Sequence, residues 1–114
     1  MEVITGGVTA AKGFKAAATA AGIKYKDRTD MAMIVSAVPA VSAGTFTTNV
    51  VKAAPVKWDR QTVESQEYAQ AVVVNAGIAN ACTGKQGLDY CRREAEVTGE
   101  LLGIPAEAVL VGST

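Results

Sequence analysis

At 114 residues the chain is long enough for one hydrophobic core and too short for two independent ones. Its eleven basic and eleven acidic residues cancel without forming a Lys/Arg block, which argues against a nucleic acid or an anionic membrane as the main partner. Histidine is absent, so no Ser-His-Asp or Cys-His arrangement can be drawn from this chain alone, and the largely Ala and Val apolar content predicts an interior of small side chains.

The opening residues, Met1 to Gly7, carry neither a basic n-region nor an apolar h-region. No later stretch approaches the roughly 20 apolar residues needed to span a bilayer, so the chain is expected in the cytoplasm. Lys12 to Gly22 is ambiguous. Its alanines favour a helix, while Phe14, Ala16, Ala18 and Ala20 alternate as one face of a strand. Gly13 and Gly22 bracket a strand-like length and no large-apolar stripe is present, which tips the reading to a strand.

Met31 to Ser36 and Ala43 to Thr48 read as two strands joined by a bend at Val38-Pro39-Ala40. Residues 53 to 70 look irregular around Pro55, with a short helix over Thr62 to Ala69 as an option. Ala71 to Val74 and Ala108 to Val111 are apolar at consecutive positions and predict interior strands covered on both faces. Between them Leu88, Cys91, Ala95, Thr98 and Leu102 recur at helical spacing, opposite Asp89, Arg92, Arg93, Glu96 and Glu100. Gly103 and Pro105 end that helix. No repeat, linker or composition shift divides residues 1–114, which are read without an internal boundary.

Asn75 to Gly84 is built almost wholly of small residues and joins a strand to the strong helix. Such a turn can present N–H groups to an anion or a developing oxyanion, or it can be a tight loop whose Asn side chains cap turns. Cys82 lies in it, but no His can activate the thiol and Lys85 is the only nearby charge, so packing is preferred over nucleophilic attack. Both cysteines default to free buried thiols, since no CxxC or Cys/His cluster suggests a metal or disulfide. Glu94, Glu96 and Glu100 read as a solvated helix face, Lys12, Lys24 and Lys26 as exposed, and Trp58 and Tyr68 as core or rim. The end of the chain is the oddest feature: a strand runs into Gly112-Ser113-Thr114 and stops with nothing to cover it. The expectation is a polypeptide whose remainder completes the sheet and a site at the Ser113-Thr114 turn, with an open strand edge in the isolated chain.

Several segments together resemble the ornithine acetyltransferase family of arginine biosynthesis. They are Gly13-Phe14-Lys15-Ala16 with Gly22-Ile23-Lys24, Pro39 to Ala43, Ala53-Ala54-Pro55-Val56, Val74 to Gly84, and Gly112-Ser113-Thr114. The resemblance implies a layered α/β sandwich of the self-cleaving ornithine acetyltransferase and aminopeptidase type, completed by the remainder of the protein. It further implies transfer of acetyl from N-acetylornithine to glutamate, and in some members use of acetyl-coenzyme A, through an acyl-enzyme on a Thr outside this chain. Implied partners are a β chain and the rest of the α chain in an α2β2 tetramer; no metal or bound cofactor is implied. One implied site residue falls within the sequence: Thr114, whose hydroxyl, with the N–H of the family's following Gly, forms the oxyanion hole. The bare residues leave open a Ser-Thr pair that merely caps the next element, a stand-alone binding or regulatory module, and a related self-cleaving aminopeptidase.

Overall fold

The computed structural model describes residues 2–114. Its elements are β1 (Phe14–Thr19), β2 (Met31–Val41), α1 (Ala54–Ser65), β3 (Tyr68–Asn75), α2 (Gly84–Leu102), a 3-10 turn at Ala106–Ala108, and β4 (Val109–Ser113). The strands form one sheet in the order β1-β2-β3-β4. The first two pairings are antiparallel and the last is parallel, which requires a crossover, and α2 supplies it.

The Ala-rich segment is a strand. Phe14 pairs with Ser36 and Thr19 with Met31, and that ladder overrides the helical preference of alanine. The loop back to β2 is held by Asp30, whose carboxylate accepts the Ala21 N–H at 2.6 Å and the Ile23 N–H at 2.7 Å. The bond from Ile23 is the main cause that keeps this acid below the usual carboxylate range.

Two sequence expectations fail between β2 and β3. The segment Met31 to Thr48 is not two strands: β2 runs through Pro39 to Val41, and Ala43 to Thr48 is unpaired irregular chain. The register with β3 shifts between Val35 and Ala40, and Pro39 falls inside that irregularity, where a missing ladder donor is tolerated. The short helix expected at Thr62 to Ala69 is instead a twelve-residue helix starting at Ala54, and Ala69 belongs to β3. Pro55 sits in the first turn, where its fixed φ suits a helix and its lost N–H would have had no helical partner.

β3 is an interior strand, whereas β4, also expected to be interior, forms the edge of the sheet, and only one face of the pair is sealed. Ala71, Val73, Val109 and Val111 pack with Ala54 and Trp58 of α1 and with Cys91 and Ala95 of α2. Both helices therefore lie on the same side of the sheet. Val72, Val74 and Leu110 on the opposite side stay half-buried, and with Phe14 and Ile34 they give that face an apolar surface. Coverage on both faces, expected from the unbroken apolar runs, is thus only half realised among the described residues.

α2 follows its predicted stripe, with Cys91, Ala95 and Thr98 buried, and ends at Gly103 in the left-handed conformation (φ 69°). The Ile104 N–H returns to the Gly99 carbonyl at 3.0 Å. A Cβ on Gly99 would lie 2.6 Å from the Ile104 carbonyl oxygen, so the returning chain requires glycine there.

The outer edge of β4 is not open, contrary to expectation. Trp58 Nε1 donates to the Val109 carbonyl at 2.9 Å, and the Val111 N–H donates to Asp59 Oδ1 at 2.9 Å. Residues two apart on a strand present their polar groups to the same side, so adjacent side chains of α1 take the place of a neighbouring strand.

Candidate active-site corner

β3 and β4 run parallel, so both deliver their C-terminal ends to one rim of the sheet, where the Asn75 to Gly84 segment meets Ser113 and Thr114. The Thr114 N–H donates to the Asn75 carbonyl at 3.0 Å, and the Gly77 N–H donates to the Thr114 carbonyl at 2.8 Å. Gly77 can double back in this way because its φ of 102° lies where side chains are strained. Both main-chain polar groups of Thr114 are thereby used. Its residue is exposed, and none of the hydrogen bonds among the described residues engages its hydroxyl.

The Ser113 hydroxyl donates to the Ile78 carbonyl at 3.0 Å and accepts the Asn80 N–H at 3.1 Å. Asn80 in turn joins three elements. Its carbonyl accepts the Ala54 N–H at the start of α1 at 3.2 Å. Its side-chain amide donates to the Gly87 carbonyl at 2.8 Å and to Cys91 Sγ at 3.3 Å, while Oδ1 accepts the Thr83 hydroxyl at 2.5 Å. The small-residue segment is therefore a loop tied down by Asn, and its Gly77 and Asn80 N–H groups point at β4 rather than at a free anion.

The other singled-out residues do not join this corner chemically. Cys82 is exposed with φ 57°, so the expectation of a buried thiol fails for it; it lies in a shallow hollow with Lys52 and Lys57. Cys91 is fully buried, and burial pushes its thiol up to about 11, which suits packing and not attack. Glu96 and Glu100 flank Arg93 at 3.4 and 4.0 Å on the solvated face. Glu94 departs from that face: it is half-buried, its Oε1 has no partner, and burial raises its pKa. Trp58 is core, while Tyr68, Lys12, Lys24 and Lys26 are exposed.

Asp59 was not visible as a functional residue in the sequence, and neither was the tie between Asn80 and Ser113, although Ser113 falls in the expected Ser113-Thr114 turn. Asp59 is pushed up to about 6 because burial outweighs the stabilising Val111 N–H, and nothing in its neighbours along the chain signals that. Asn80 and Ser113 did lie inside the segments that stood out, but only the fold reveals that they bond to each other.

A half-covered sheet with two helices on one side, ending in a pinned Ser-Thr pair beside a glycine loop, defines a layered α/β protein with a polar corner that can hold a fixed donor. Residues 15–114 match the ArgJ family, and the chain belongs to that family. The arginine biosynthesis bifunctional protein ArgJ of Thermosynechococcus vestitus is 50% identical over 97% of this chain, which covers 26% of that protein. The crystal structure of the protein of that name from Bacillus halodurans superposes with a TM-score of 0.88 at 44% identity, over 95% of this chain and 56% of that one. Ornithine acetyltransferase from Mycobacterium tuberculosis, solved in complex with ornithine, gives the same TM-score at 40% identity, over 95% of this chain and 59% of that one. The chain thus spans about a quarter of the length of the curated relatives it matches.

Proposed function

We propose that this chain is the N-terminal portion of the α-chain domain of a glutamate N-acetyltransferase, which moves acetyl from N-acetylornithine to glutamate in the cytoplasm. Family membership supports the role in arginine biosynthesis, and a relative solved with ornithine supports an ornithine-type substrate. The observation that carries the site assignment is Thr114 itself: an exposed residue directly after β4, held through both backbone groups, with its hydroxyl unengaged among the described residues.

When a nucleophile adds to the acetyl carbonyl, the oxygen acquires negative charge. A donor fixed in advance stabilises that charge more than it stabilises the neutral substrate, which lowers the barrier to addition. In this reading the Thr114 hydroxyl is one such donor and the N–H of the next residue is the other. The nucleophile is a Thr at the N-terminus of the β chain, outside this chain, and the acyl-enzyme formed there passes its acetyl group to glutamate. The partners are the remainder of the α chain and the β chain, in an α2β2 assembly produced by self-cleavage; neither nucleic acid nor membrane takes part. No helix of the described residues is long and apolar enough to cross a membrane.

The 114-residue chain holds no His to activate a nucleophile, so it is expected to transfer no acetyl group when purified alone. The full-length polypeptide that carries it is expected to appear as two chains by intact mass and to exchange acetyl between N-acetylornithine and glutamate. Exchange by the 114-residue chain alone, or an uncleaved and inactive full-length protein, contradicts the proposal.

A further inference from the structure

We propose that Ser113 and Asn80 are positioning residues that set the Thr114 hydroxyl for catalysis, acting through the strand end and not by contact with substrate. This rests on the oxyanion reading of Thr114.

A donor in an oxyanion hole is effective only if it is held in place before the charge appears, and a displacement of about 1 Å can cost on the order of 10²-fold in rate. Thr114 follows directly on β4 at the rim of the sheet. Of its two backbone bonds, the one to the Asn75 carbonyl goes to the end of β3, and the one from the Gly77 N–H goes to the loop beyond it. The carbonyl side of Thr114 is therefore no better defined than that loop, which is partly exposed and contains Gly77.

Ser113 adds a side-chain tie between the far half of the loop and the strand. Its hydroxyl uses both of its functions at once, as donor to Ile78 and as acceptor from Asn80, closing a ring that runs from Thr114 through the loop and back. Asn80 then fixes the ring to the rigid body of the fold. Its carbonyl is tied to α1, its amide to the first turns of α2 at Gly87 and Cys91, and its Oδ1 to Thr83.

Asparagine meets this demand because one short planar group offers two donors and an acceptor. Aspartate would lose the donors and place a charge against the buried Cys91. Gly87 is fitted to the same purpose: a Cβ there would lie 2.4 Å from Asn80 Oδ1 and closer still to the Thr83 hydroxyl. The Ser113 end of the network lies at the rim, away from the core that Asn80 meets at Cys91, so removing the Ser113 hydroxyl should disturb the rim more than the fold.

The test is a double-variant cycle in the full-length enzyme, with kcat and KM for acetyl exchange and the melting temperature measured for each protein. Ser113→Ala is expected to lower kcat by about 10- to 100-fold with KM within about threefold, and Ser113→Thr, which keeps the hydroxyl, to stay within about threefold of wild type. In a Thr114→Ala background the same Ser113→Ala change should cost less than about threefold, because the group it positions is gone. An equal loss in both backgrounds, or a normal kcat for Ser113→Ala, overturns the proposal while leaving Thr114 as the donor. A normal kcat for Thr114→Ala removes the oxyanion reading and this proposal with it. Should Ser113→Ala not fold, Asn80→Asp reads the same claim: a fall in kcat at constant KM supports it, and unchanged kcat overturns it.

Discussion

Asp59 offers a perturbation whose size follows from its surroundings. Its carboxyl is wedged between α1 and the edge of β4, with the Val111 N–H as its one hydrogen-bond partner, and burial lifts its pKa from 3.8 to about 6. A folded-state pKa above the unfolded value means a contribution fully present below about pH 3.8 and lost as the pH rises through about 6. A shift of roughly two units sets a ceiling of about 3 kcal/mol, and solvent screening of this partly open group brings the expected effect nearer 1–2 kcal/mol. Asp59→Asn keeps Oδ1 as the acceptor for Val111 and removes the charge. The variant is expected to be more stable than the parent at pH 8 by about 1–2 kcal/mol and indistinguishable from it near pH 3.5. Trp58, the only tryptophan, is buried beside Asp59 and bonded to β4, so its fluorescence reports the relevant joint during urea unfolding. A variant less stable than the parent at pH 8, or a difference that does not change with pH, would refute the burial argument.

Two further perturbations address the loops. Asp30→Ala orphans the Ala21 and Ile23 N–H groups and should lower the melting temperature. Because the Asp30 pKa is lowered in the fold, its contribution is present above the unfolded value of 3.8 and is lost as the pH falls through the lower folded value; a melting temperature equal to the parent's at neutral pH contradicts the clamp. Thiol alkylation followed by mass spectrometry should add one group to the native chain, at the exposed Cys82, and a second at Cys91 only in denaturant; rapid native labelling of both contradicts the packing of α2 on the sheet.

The helix α2 was legible because its stripe, its C-terminal glycine and its proline all agree, and β3 and β4 because β-branched runs of that length have few other uses. Phe14 to Thr19 was legible only through alternation and bracketing glycines, against the propensity of alanine. Pro55 misled, since a proline that opens a helix resembles one that forbids it until the first turn is seen. Ala43 to Thr48 misled in the opposite sense: β-propensity is realised only where a partner strand is at hand, and β2 ends before it. At the site, Thr114 and its loop were visible as motifs. The bonds that join Ser113 to Asn80 and Asp59 to Val111 link residues 33 and 52 positions apart, and no local pattern encodes such pairings.

The central claim is that Thr114 supplies a hydrogen bond made fully only in the transition state. The direct test is Thr114→Ala in the full-length, cleaved enzyme, with kcat, KM and melting temperature measured together. A fall in kcat of about 10²–10³-fold, equivalent to roughly 2.7–4 kcal/mol, is expected, with a much smaller change in KM and an unaltered melting temperature. A near-normal kcat accompanied by a lowered melting temperature would show that Thr114 only caps the end of β4, and would contradict the account.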